Sequence, residues 1–82
     1  MPTVIKNLNG YRFFFFSLDR NEPIHIHVEK DYKHAKFWLN PIIVLAKSRR
    51  FKDHELTEIR KLIENNIKII RRKWYEHFGR EN

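Results

Sequence analysis

"IHIHVEKDYKHAKFWL", residues 24–39, decides the fold. Successive side chains of a strand point to opposite faces, so strict apolar–polar alternation marks a strand with one buried face. Ile24, Ile26 and Val28 alternate with His25, His27 and Glu29, and Ala35, Phe37 and Leu39 alternate with His34, Lys36 and Trp38. "KDYK", Lys30 to Lys33, reads as a four-residue loop, so the two runs are predicted to pair as an antiparallel hairpin. Placing Val28 opposite Ala35, Ile26 opposite Phe37 and Ile24 opposite Leu39 brings all the apolar partners together. A slip of one residue would turn each apolar set to the wrong face. The same register sets Glu29 against His34, His27 against Lys36 and His25 against Trp38. The two neighbouring histidines thus belong to a shared polar, aromatic and cationic face.

Upstream, Asn9-Gly10 lies between the β-prone runs Thr3–Leu8 and Tyr11–Ser17. Asn-Gly suits a type I′ turn, which needs positive φ at both central positions, so a first hairpin is predicted. Phe13 to Phe16 put large apolar groups on both faces of their strand, one of them core and the other covered or used in binding. Downstream, Asn40-Pro41 breaks the fourth strand, and Ile42–Ala46 reads as a fifth. "KSRRFK", residues 47–52, reads as a basic loop. From Asp53 to about His77 the spacing turns helical, with Leu56, Ile59, Ile63, Ile67, Ile70, Trp74 and Phe78 in one stripe. Asp53 is the expected N-cap and Gly79 the expected stop. One helix of that length would run about 40 Å at 1.5 Å per residue. The expected fold class is therefore α+β: a small antiparallel sheet of four to five strands, β-β-β-β-(β)-α, with one long C-terminal helix across one face. The histidine face is expected to be the open one.

The chain has 82 residues, which suits one domain, 1–82. A chain this short buries only about 60–65% of the surface its unfolded form exposes, so its stability margin is expected to be small. With 41% apolar and 15% aromatic residues, the material for a core is present. The absence of cysteine excludes disulfides and thiolate metal sites. The start lacks the order of a signal peptide, and no apolar run approaches the ~20 residues of a membrane span. A soluble cytoplasmic protein with no membrane association is expected. The net charge of +7 favours an anionic partner, either nucleic acid or an acidic protein.

These pieces together resemble a known family. "MPT", "GYRFFFF", "NEPIHIHVE", "AKFWLNP", "LAKSRRF" and the helix end "WYEHFG" follow the order of the bacterial domain-of-unknown-function family 4160 over nearly the whole chain. The family pattern usually carries two prolines before the paired histidines, whereas here Pro23 stands alone before Ile24. It tends to have a Ser cap where this chain has Lys52, which supports a cap at Asp53. Its helices are often rich in Glu, where this one carries "IRRKW". The resemblance implies a small cytosolic bacterial protein encoded beside another small protein, in an arrangement similar to toxin–antitoxin pairs. It implies a protein partner and no particular chemistry.

Three chemistries compete for the histidine face. Two histidines at i and i+2 on a strand can share a metal ion, with Glu29 and His34 near by. Lys36 opposite His27 opposes a second cation there, so no metal and no cofactor is expected. Catalysis would take His25 and His27 as general acid and base with Lys36 and Arg12 as cations, a metal-independent ribonuclease. No phosphate loop, serine elbow or carboxylate pair supports another enzyme class. Binding would use Arg12, His25, His27, Glu29, His34, Lys36 and Trp38, with Arg49 and Arg50 of the basic loop, against RNA or a partner protein. The remaining reading leaves the histidines as structural groups, hydrogen-bonded across the sheet to Glu29. The expected function is an interaction module, one half of a toxin–antitoxin-like pair that binds a protein partner or RNA through this face. The alternative is the ribonuclease. Oligomeric state is not legible.

Overall fold

Asn9 and Gly10 both take positive φ, 55° and 87°, and turn β1 (Thr3–Leu8) into β2 (Tyr11–Phe14). Gly10 meets this need without the steric cost of a Cβ, and its N–H donates to Asn7 Oδ1 at 3.0 Å. The computed structural model describes residues 3–16 and 21–79. The second strand, predicted to run to Ser17, ends at Phe14; Phe15 and Phe16 lie beyond it, and Ser17 lies outside the described residues.

The central hairpin, β3 (His25–Lys30) and β4 (Lys33–Trp38), has the expected register: His25 faces Trp38, Ile26 faces Phe37, His27 faces Lys36, Val28 faces Ala35 and Glu29 faces His34. The Leu39 N–H donates to Ile24 O at 3.1 Å, which continues the pairing past the strand ends. The connecting loop is shorter than predicted. Lys30 and Lys33 pair with each other, and Asp31 turns the chain at φ 56°.

Two further expectations are corrected. The fifth strand, β5, runs over Val44–Arg49 rather than Ile42–Ala46, so half of the supposed basic loop is strand. Its register shifts between the pairs Lys36–Lys47 and Phe37–Leu45, leaving Ala46 as an extra residue. A bulge of this kind breaks alternation and hides a strand from a period-two reading. The single helix is two helices, α1 (Asp53–Asn65) and α2 (Ile67–Phe78). Between them Asn66 has φ −119° and ψ 15°, and its Nδ2 donates to Leu62 O at 2.8 Å. A short amide side chain that bonds nearby backbone competes with helix continuation.

The helix start also differs. Lys52 is the cap residue and Asp53 already helical. Lysine has no acceptor to offer, and the order comes from the other side: the Lys52 N–H donates to Glu55 Oε1 at 2.9 Å, the returning half of a capping box. Glu55 Oε2 takes Lys33 Nζ at 2.8 Å, tying the β3–β4 turn to α1. The Lys33 bond, then the Lys52 N–H, holds this carboxyl below its usual range. At the other end Gly79 stops α2 with φ 79°, its N–H donating to Tyr75 O at 2.8 Å.

The strands lie in the order β1-β2-β3-β4-β5, all antiparallel. Phe13, Ile26, Val28, Ala35, Phe37 and Leu39 from the sheet pack with Ile59, Ile63, Ile70 and Trp74 from the helices. Each fully buried large apolar side chain contributes about 1.5–3 kcal/mol relative to exposure. Tyr11 joins this core while its hydroxyl donates to Glu58 at 2.6 Å. Burial, then the Glu58 bond, pushes the Tyr11 pKa well above that of a free phenol.

Candidate interaction site

The second sheet face carries Arg12, Phe14, His25, His27, Glu29, His34, Lys36 and Trp38, as the alternation requires. The paired histidines His25 and His27 are not open. His25 is 0% exposed and His27 5%. The reason lies in the phenylalanine run. Phe14 stacks on the His27 ring at 5.4 Å and 20°, and Phe16 meets it edge-on at 4.6 Å. His25 is enclosed by Trp38 at 5.4 Å and by Trp74 of α2 at 5.2 Å. An imidazole has a polar rim and a flat apolar face, so aromatic neighbours can pack against that face.

The nitrogens show what the rings do. His25 Nδ1 lies 2.8 Å from the Pro23 carbonyl, which only accepts, so Nδ1 carries a proton and donates. His27 Nδ1 and His34 Nε2 are 3.2 Å apart. One donates and the other accepts, so this bond requires at least one neutral ring. The expected hydrogen bond from a histidine to Glu29 is replaced, because Glu29 pairs with Arg12, whose guanidinium also lies 4.5 Å from the Phe14 centroid.

Lys36 is committed in the same way. Its Nζ donates to Glu22 at 2.6 Å and sits 4.4 Å over the Trp38 ring. Cross-strand like charges repel, and Lys36 faces Lys47; the contacts with Glu22 and Trp38 compensate on the Lys36 side. The proposed catalytic group His25, His27 and Lys36 is thus brought together, but as a buried pair beside an engaged cation.

The open part of the face lies further out. Lys47 and Arg49 of β5 stand opposite Lys36 and His34, and neither has an acidic partner among the described residues. With His34 and Ser48 they line a recess of about 290 Å³. Arg50 follows, exposed, at φ 70°. Lys47 and Ser48 escaped the sequence reading because the bulge at Ala46 masked their strand. The alternation of Lys47 and Arg49 around Ser48 is the signal that could have found them. Phe14 and Phe16, from the strand expected to be covered or used in binding on one face, complete the site with Glu22 and Trp74, and of these Trp74 lies too far along the chain for the His-x-His stretch to point to it. Among the described residues no group of three or more His, Asp or Glu side chains could hold a metal ion. None of the helices described is long and apolar enough to cross a membrane.

His34 titrates below its ordinary 6.5. Burial is the main cause, followed by Lys47 and, more weakly, Arg49, with Glu29 opposing them. The unfolded chain therefore binds this proton more readily than the folded one, and stability rises with pH across the gap. The contribution is full above pH 6.5 and is lost as pH falls through the lower folded value. Urea midpoints measured against pH are expected to drop more steeply, as pH falls from 6.5 to that lower value, for the wild type than for His34→Gln. Parallel curves would show that another group titrates.

With this geometry established, comparison with known proteins defines the class. A family model described as Domain of unknown function (DUF4160) matches residues 10–75. The match covers well over half of the chain, and the chain belongs to that family. No curated protein and no solved structure matches it.

Proposed function

We propose that this chain is a small interaction module, one half of a toxin–antitoxin-like pair, which takes an acidic segment of its partner protein along the outer edge of β5. The observation that carries this reading is β5 itself. It is the last strand of the sheet and is exposed at all six positions. An unpaired edge offers a row of backbone donors and acceptors to an incoming strand. Ile42, Val44 and Leu45 expose 66%, 42% and 37% of their surfaces at one end, and Lys47 and Arg49 stand at the other. That apolar-then-cationic order suits a strand with the complementary pattern. A second copy fits poorly, since each chain carries +7.

Single-stranded RNA is the weaker fit. Its recognition on open sheets depends on accessible stacking rings, whereas Phe14 lies between Arg12 and His27 and Trp38 lies under Lys36. The ribonuclease reading needs an acid–base pair that substrate can touch, and His25 and His27 are buried.

The test is complex formation with the product of the adjacent gene, followed by size-exclusion chromatography and titration calorimetry. Lys47→Glu/Arg49→Glu is expected to weaken the complex on the order of tenfold or more, with steep salt dependence in the wild type. Unchanged affinity, or no complex at all, removes the reading. Cleavage of added RNA in the presence of chelator would favour the ribonuclease instead.

A further inference from the structure

We propose that the recess lined by His34, Lys47, Ser48 and Arg49 is a binding site for a single phosphate-type dianion. The recess shares Lys47 and Arg49 with the partner reading above but needs no docked strand, and the readout at His34 separates the two.

The placement begins with the backbone. After the bulge at Ala46, Lys47 and Arg49 occupy alternate positions of β5 and project to one face. On that face they meet Lys36 and His34 of β4. The sheet thereby gathers four nitrogen-bearing side chains, of which Lys36 is neutralised by Glu22. Glu29, the nearest carboxylate to His34 across β3, is occupied by Arg12. The two cations left at the recess raise a local positive potential that a bound anion would relieve. The guanidinium of Arg49 offers a planar fork of donors that matches adjacent phosphate oxygens, and Lys47 adds a mobile point charge.

His34 makes the site specific for a doubly charged ligand. Its Nε2 is engaged with His27 Nδ1 at 3.2 Å, so the ring meets a ligand through Nδ1. The groups that face His34 are His27 and Glu29 on β3, Lys47 and Arg49 on β5, and the Phe14 ring on β2 at 6.4 Å. A dianion in the recess offsets Lys47 and Arg49 and restores the imidazolium. The protonated ring then donates from Nδ1 to the anion and from Nε2 to His27, which stays neutral and accepts. Ligand binding and proton uptake are therefore coupled, and each strengthens the other.

The test is an NMR titration of the histidine side chains with inorganic phosphate, at ionic strength held constant with chloride. His34 is expected to shift saturably, and its titration midpoint to rise, while the exposed His54 and His77 stay in place. Lys47→Gln/Arg49→Gln should abolish the response; both positions are exposed, and an unchanged urea midpoint confirms the fold. Dimethyl phosphate, a monoanionic diester, should shift His34 far less. A His34 signal that ignores phosphate, responds equally to chloride, or responds equally to the diester overturns the proposal.

Discussion

The double variant His25→Ala/His27→Ala is expected to unfold at much lower urea than the wild type. It tests stability before it tests binding. Both rings are enclosed, His25 at 0% exposure and His27 at 5%, with aromatic neighbours on several sides. Truncating a buried side chain of this size costs about 2–4 kcal/mol, from lost contacts and the cavity left behind. An 82-residue chain has a total stability of about 4–12 kcal/mol at the usual margin per residue. The two rings touch at 5.0 Å, so their effects need not add. Even so, their joint removal takes a large share of that total. Far-UV circular dichroism against urea measures it, and an unshifted midpoint would mean the rings are not packed as described. Loss of partner binding in this variant would report unfolding. The exposed Lys47 and Arg49 are the positions at which binding can be probed on an intact fold.

Trp74→Ala is the second large effect, about 3–5 kcal/mol for a buried tryptophan. Trp74 is 4% exposed and meets Phe15 at 4.9 Å, Phe78 at 4.4 Å and His25 at 5.2 Å. It joins α2 to the end of the sheet where both sheet faces are in reach. A helix of 12 residues is marginal without such packing. Hydrogen exchange is expected to quicken across Ile67–Phe78 while Asp53–Asn65, held by Ile59 and Ile63, stays protected. Equal loss in both helices would show that the Asn66 break does not separate them energetically.

The sheet was legible because alternation is a rigid rule: Ile26 could face Phe37 only in one register, and that register is present. The Asn9-Gly10 turn was legible because so few residues accept positive φ. The rest depended on events that a local pattern does not carry. The extra residue at Ala46 put β5 out of step. Asn66 outweighed a hydrophobic stripe that ran through it without a gap. The cover over His25 and His27 came from Phe14 and Phe16 on the next strand and from Trp74, almost fifty residues downstream of His25. Polar identity on an alternating strand predicts which face a residue takes, and it does not predict what neighbours then close over that face.

The strand order has a consequence for how the chain is made. Each strand pairs with its predecessor, so the meander can assemble as it leaves the ribosome, at about 5–20 residues per second. The residues that cover it, Ile59, Ile63, Ile70 and Trp74, are translated after all five strands. For some seconds the nascent chain holds a finished sheet with one bare, greasy side. A product cut short before Ile59 would keep that side bare, making it a target for chaperone capture and proteolysis.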